Sequence, residues 1–529
     1  MYRFPNLPIS RFPNLPISRF PNLPISRFPN LPIYHQSTNL PTLVSLSTCL
    51  LISLSLGALG AINTWDLPTY FLLVAGAFTI VAWRRRSFRS LVGSTLLTGL
   101  IGAAAVAAYW PFYAHYQARV GGDSGPLIGR YLGWVHESSP LGPWLVVWGF
   151  FLFLALSFVL VEWVGSGWGS GWKRINGWGS PASEPAPLAG MEIDRASTPP
   201  SLKGKRMVGS GLLGLALLLF ALNRPTAALV VAPLGLALAF AFRRWAPPED
   251  AFLMLLLALG LGIVTGTELI YLRDFLDGGD WYRMNTLFKF SVPAWLFLGL
   301  AGGVMLPRVW AVAGRRPAWL RWPWRGLALL LLIFGLAFLP LGIPARVRDR
   351  FPGPRPARGT LDGTAFMTVG RYNWPDAQHA VELAYDYLAI HWLLDHVTGT
   401  PVVAEAPAGG YTIAGQNVGY DYYRAGGLRV ASLTGFPTFV GQHQYEQRPG
   451  EQVSERTSLG QTFFRTTDIA RARELMRELR VGYIYVGALE RTLFTEDSLR
   501  KFEVMTDLGD LDVVYRNPQV TIYRVANSK

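Results

Sequence analysis

A polytopic α-helical membrane protein with a soluble α/β domain at its C-terminal end is the fold class that three observations predict. Half of the 529 residues are hydrophobic and only 16% are charged. Mean hydropathy is +0.25, whereas soluble domains are more polar. The apolar residues gather into long uncharged runs before about residue 345, and beyond it short helix-like and strand-like segments alternate.

A bilayer core about 30 Å thick calls for roughly 20 apolar residues per helix, with about 17 to 25 tolerated. Nine segments meet or approach that length: about 42–62, 69–83, 91–110, 143–162, 207–222, 226–242, 250–270, 288–306 and 326–343. The second and fifth are short, so about nine transmembrane helices are expected, with eight or ten as the alternatives. Cys49, the single cysteine, lies inside the first run and can form no intrachain disulfide.

The net charge of +14 would suit a nucleic-acid partner only if it were spread over a soluble surface. It is not. From Ala345 to Lys529 there are 21 basic and 21 acidic residues, so the excess belongs to the apolar half. Loops after alternate helices hold Arg84, Arg85, Arg86 and Arg89, the basic residues of the 163–206 insert, Arg243 and Arg244, and a last group from Arg308 to Arg325, seventeen in all. The opposite loops hold six. Basic loops ordinarily stay in the cytoplasm, so nine spans starting from a cytoplasmic N-terminus put the C-terminal domain (345–529) outside the cell membrane.

Residues 3–34 are four copies of an eight-residue unit, RFPNLPIS, the last ending in Tyr34. Each carries Pro-x-x-Pro, which favours polyproline II. Near-identity between copies points to a recent duplication, and residues 1–41 are expected to be disordered. The insert 163–206 is rich in Gly, Ser, Pro and Trp and reads as a flexible linker. In the C-terminal domain, 385–396 and 468–479 read as helices, 401–406, 428–433 and 481–486 as strands, and 511–525 as a hairpin turning at Arg516-Asn517-Pro518. Such alternation predicts a small mixed or parallel sheet.

The stretch ELIYLRDFLDGGDWYRMNTLFK, 268–289, places four carboxylates and three cations between two apolar runs. Charge at a bilayer centre costs roughly 2.5–3.5 kcal/mol per residue, so side chains near helix ends should face water or one another. Glu268 and Lys289 are expected to line a cavity opening outward. Together Glu268, Arg273, Asp274, Arg283, Asn285 and Lys289 offer a carboxylate base beside cations suited to phosphate.

Six motifs carry a resemblance to a known family: NTWDLPTY (63–70), ELIYLRD (268–274), RMNTLFKF (283–290), EAPAGGYT (405–412), SLTGFPTFVGQHQYEQR (432–448) and YIYVGALER (483–491). In order, they resemble the Chlor_Arch_YYY family of multi-spanning membrane proteins. That family resembles the GT-C class of membrane glycosyltransferases. The resemblance implies a polyprenyl-phosphate-linked sugar donor, reaction at the outer membrane face, an acidic residue of the first outer loop as base, and an extracytoplasmic C-terminal domain. Helices bearing that acidic loop and the tyrosine triplet usually precede the matching region. Here the repeat stands in their place, so the chain is expected to be a C-terminal fragment, either inactive alone or dependent on a separately encoded N-terminal half.

On this reading the catalytic candidates are Glu268, Asp274 and Asp66, the last also placed to start a helix. Arg273, Arg283 and Lys289 are the phosphate-binding candidates, with Asn285 beside them. Glu405 follows a strand and precedes glycines, where α/β folds tend to bind ligands. His443, Glu446 and Arg448 share a Gly/Pro-flanked loop, for which acceptor binding is favoured over metal. No spacing matches a metal motif, and a divalent cation is the one cofactor candidate. A transporter, or a scaffold subunit without catalysis, is the alternative.

Overall fold

The computed structural model describes residues 45–116, 121, 127–164, 202–244, 246–350, 353–356, 359–441, 444 and 448–526. The chain divides into two units, 1–45 and 46–529, and the second is described below. The RFPNLPIS repeat and most of the insert lie outside the described residues.

Among the described residues each apolar segment is helical over most of its length. The helices are α1 (Leu46–Ile62), α2 (Asp66–Arg84), α3 (Phe88–Ala108), the short α4 (Trp110–Tyr113) and α5 (Leu127–Tyr131), α6 (Leu141–Val164), α7 (Leu202–Ala221), α8 (Pro225–Ala241), α9 (Pro248–Gly266), α10 (Met284–Gly314) and α11 (Ala318–Leu336). Among the described residues six helices are long and apolar enough to cross a membrane: α2, α3, α6, α9, α10 and α11 with its continuation to Arg350. α1, α8 and the apolar part of α7, Met207–Ala221, are shorter.

Local chemistry fixes the ends. α8 and α9 open with proline in the first turn, where no intrahelical N–H bond is lost, and α9 adds Glu249 and Asp250 at the positive end of its dipole. α9 is the most buried span. It packs between α8 and α10 with α2 alongside, in a core that includes Leu257, Leu261, Phe297 and Leu298. Close approach to α10 needs Gly260, because a Cβ there would stand 2.7 Å from Leu298. Lipid supplies no hydrophobic force between such helices, so their association rests on packing and polar contacts.

Two loops join across one end of the bundle. β1 (Leu132–Trp134) pairs antiparallel with β2 (Ile270–Leu272), Gly133 facing Tyr271.

Beyond α12 (Ile343–Arg350) the chain builds the mixed α/β region. Its four-stranded sheet runs β5-β8-β10-β9, where β5 is Val402–Ala404, β8 Val481–Val486, β9 Leu511–Arg516 and β10 Thr521–Val525. β5 and β8 are parallel, and β10 runs antiparallel to both β8 and β9. Two hairpins flank it, β3 (Arg371–Asn373) with β4 (Ala380–Glu382) and β6 (Gly409–Ile413) with β7 (Gln416–Tyr420). Helices 383–396 and 469–478 and the 511–525 hairpin stand where the sequence places them. The expected strand 428–433 does not: Arg429–Thr434 is a short helix, entered at Leu428 and left at Gly435, both left-handed. Helices 450–465 and 496–507 are additional to those expected from the sequence.

Lys501, on the 496–507 helix, is 3% exposed. Its Nζ donates to the carbonyls of Phe464 at 2.8 Å and Ser498 at 2.6 Å and lies 4.3 Å from the Phe502 ring centre. Burial without a carboxylate pulls its pKa down from 10.5 to about 7. An unfolded lysine holds its proton up to about 10.5, so the unfolded chain binds more protons between those values and stability rises with pH across 7 to 10.5. Lys501→Met should therefore stabilise this region near pH 7 by on the order of 2–4 kcal/mol. It should also abolish that rise, read as hydrogen exchange in peptides from 459–507 of the full chain at matched pH.

Candidate functional site at the loop end of the bundle

Glu268 follows α9 and would be a bare carboxylate at the edge of the apolar zone. It is 2% exposed and fully engaged. Oε2 accepts from the Ser139 N–H at 2.8 Å, the Thr226 hydroxyl at 2.9 Å and the Ser138 hydroxyl at 3.2 Å. Oε1 accepts from the Ser139 hydroxyl at 2.8 Å and lies 3.7 Å from Arg283 Nη1. Arg283 in turn donates to the Thr267 carbonyl at 3.1 Å and to Ser139 Oγ at 3.1 Å. One carboxylate thus ties together the start of α6, the start of α8, the end of α9 and the approach to α10. The expected outward cavity is not formed at Glu268, because these donors close over it, and Lys289 is not its partner.

Around that knot the backbone continues the stitching. Val135 N–H donates to Leu269 O, Gly121 N–H to Arg273 O and Arg273 N–H to Tyr131 O. The His136 N–H donates to Tyr282 Oη at 3.0 Å, and the Tyr282 ring packs edge-on against Tyr271 at 4.7 Å. Tyr271 Oη donates to Asp277 at 2.6 Å, and Asp277 stands 3.5 Å from Arg273. Arg224 donates through Nη2 to the Val135 carbonyl, while its buried Nη1 has no acceptor.

Asp274 occupies a different setting. Half-buried, it accepts from the Leu276 N–H at 2.8 Å and from Asn285 Nδ2 at 2.8 Å. Asn285 lies in the first turn of α10, and Lys289 follows four residues later, on the same face of that helix. The Lys289 ammonium lies 5.5 Å from the Phe288 ring centre. Asp66 is the first residue of α2, one place inside the N-cap Trp65, and its charge suits the dipole. Trp65 packs on Phe290 at 6.0 Å, which brings the α2 start to the same end.

The C-terminal candidates part company with this cluster. Glu405 faces no cleft: it is 2% exposed and accepts from the Val430 and Ala431 N–H groups at 3.0 and 2.8 Å. Those are the first free donors of the 429–434 helix, so a distant carboxylate caps it. Burial pushes the Glu405 pKa up to about 8, and it raises that of the neighbouring Glu490 as well. Glu490 accepts from Ala406 N–H at 3.1 Å and Gly487 N–H at 2.9 Å. Asp386 pairs with Arg429 and accepts from Tyr485. These groups enclose a polar space of about 10 Å³, one water at most. Arg448 is exposed, and His443 and Glu446 lie outside the described residues. Among the described residues no cluster of His, Cys, Asp and Glu could hold a metal ion.

Sequence reasoning missed Ser138, Ser139, Thr226, Arg224, Tyr271 and Tyr282. Their only signal is a polar side chain next to a helix start or a charged loop.

Apolar helices of spanning length, closed at one end by a buried ionic knot, define a multi-pass membrane protein. The chain belongs to a family described as uncharacterized membrane protein (DUF2298), whose model matches residues 30–298. No curated protein matches it.

Removing the knot's acceptor should leave the Ser139 and Thr226 donors unpaired and Arg283 without its counter-charge. Glu268→Ala is expected to cost about 3–5 kcal/mol, seen as a lower thermal midpoint in detergent. At Gly133 an added Cβ would stand 2.3 Å from the Tyr271 ring. Gly133→Ala should cost about 1–3 kcal/mol, and much less in a Tyr271→Ala background, so the two effects should fall short of additive.

Proposed function

We propose that the chain is a glycosyltransferase of the GT-C kind, moving a sugar from a polyprenyl-phosphate donor to a hydroxyl acceptor at the outer membrane face. The carrying observation is the alignment Asp274–Asn285–Lys289. Asn285 holds Asp274 at 2.8 Å against α10, and Lys289 stands on the same face of that helix. Asp274 is the base in this reading, since Glu268 is saturated by donors. Lys289 and Arg273 take the donor phosphate, whereas Arg283 is committed to the knot. Basic-loop asymmetry supports nine spans with this end and the C-terminal domain outside.

A scaffold subunit without catalysis is the second reading, and the saturation of Glu268 and Arg283 favours it. Turnover separates the two. With the purified full chain in liposomes and a polyprenyl-phosphate-linked labelled sugar, Asp274→Asn should lower kcat about 100-fold or more. Arg273→Gln should chiefly raise KM. Turnover that survives Asp274→Asn unchanged would remove the base assignment, and a complete lack of turnover across donor sugars would leave the scaffold reading.

A further inference from the structure

The opposite end of the bundle carries arginines that the proposed chemistry does not use. Arg84 ends α2, and Arg85 and Arg86 follow it. Arg243 and Arg244 follow α8, and Arg308 lies in the last third of α10. The same end holds three carboxylates among the described residues, of which Glu162 is 3.9 Å from Arg243 and Asp250 is 2.6 Å from Arg308. Glu249 acts on Arg84 through its field without an ion pair. Six arginines against these three acids leave a strong positive excess.

Two of the arginines are half-buried and braced without a counter-ion among the described residues. Trp83 donates its indole N–H to the Phe242 carbonyl at 3.1 Å, and the Arg244 guanidinium stacks 4.7 Å above the Trp83 ring. Arg84 donates only to the Arg243 carbonyl, at 3.4 Å. Neither Arg84 nor Arg244 meets a carboxylate among the described residues; the Nε of each is buried without an acceptor, which leaves the terminal nitrogens to face a ligand. A guanidinium fixed on a ring and lacking an anion is set for a phosphate, which it binds through two parallel N–H groups. Directly beside these cations the surface turns apolar: Trp83 is 41% exposed and Phe88, at the start of α3, 80%. Cations bordered by exposed aromatic side chains at the ends of spanning helices suit a phosphate that carries acyl chains better than a soluble one.

We infer that Arg84 and Arg244, braced by Trp83, form a docking site for the phosphate of an anionic phospholipid headgroup. The acyl chains would lie along the apolar surface of α2 and α3. This assignment stands independently of the glycosyltransfer reading, because no residue is shared.

Native mass spectrometry of the delipidated full chain tests it, with phosphatidylglycerol and phosphatidylcholine as probes. The wild type should retain phosphatidylglycerol at least about tenfold better, and the preference should fall with added salt. The double variant Arg84→Gln/Arg244→Gln should lose the preference, and Arg346→Gln/Arg348→Gln should keep it. A preference that persists in the first variant overturns the site, as does one displaced equally by soluble glycerol phosphate. Should the first variant fail to fold, a photoactivatable phosphatidylglycerol on the wild type decides. Labelling within 83–92 or 240–250 upholds the site, and labelling confined elsewhere overturns it.

Discussion

A carboxylate placed where water gives way to lipid must be neutralised by donors or it opposes folding, and the helix bundle is organised around one such group. Glu268 takes hydrogen bonds from Ser138, Ser139 and Thr226 and stands against Arg283. Ser138 and Ser139 precede α6, Thr226 lies in the first turn of α8 and Arg283 precedes α10, so satisfying the charge also sets how α6, α8, α9 and α10 meet. In lipid, where apolar side chains gain little by leaving one helix for another, a polar tie of this kind fixes relative position better than further leucines would.

The two ends of the bundle handle charge in opposite ways. At the loop end, Glu268 stands 3.7 Å from Arg283 and Asp277 3.5 Å from Arg273, and Asp274 and Lys289 keep capacity to spare. At the other end arginines outnumber acids and rest on aromatic rings, as Arg244 does on Trp83 and Arg325 on Trp310. Cation–π contact shelters the guanidinium without consuming its hydrogen-bond donors. That distinction separates a knot that holds helices from a surface that holds an external anion.

The C-terminal region shows a third arrangement. Asp386, Glu405 and Glu490 are buried together with a single guanidinium, Arg429. Backbone N–H groups supply most of the remaining compensation: Glu405 serves a helix start, and Glu490 serves Ala406 and Gly487. A buried polar set with nearly every member satisfied specifies one packing, at the cost of keeping an acid protonated near neutral pH.

The sequence by itself determined the membrane class, where the apolar helices fall, and which loop gathers ionisable groups, because hydropathy and helix length are local properties read against bilayer thickness. It also located the 383–396 and 469–478 helices and the β9–β10 hairpin, whose periods and turn residues are local too. Only the tertiary structure decided that Glu268 is a tie and Asp274 the half-open acid, since that rests on Ser138, Ser139 and Thr226, 42 to 130 residues away. Residues 428–433 make the same point. Their alternation reads as a strand, yet a carboxylate 25 residues upstream captures the Val430 N–H and turns the segment into a helix. Long-range hydrogen bonding to the backbone leaves no trace in composition or period.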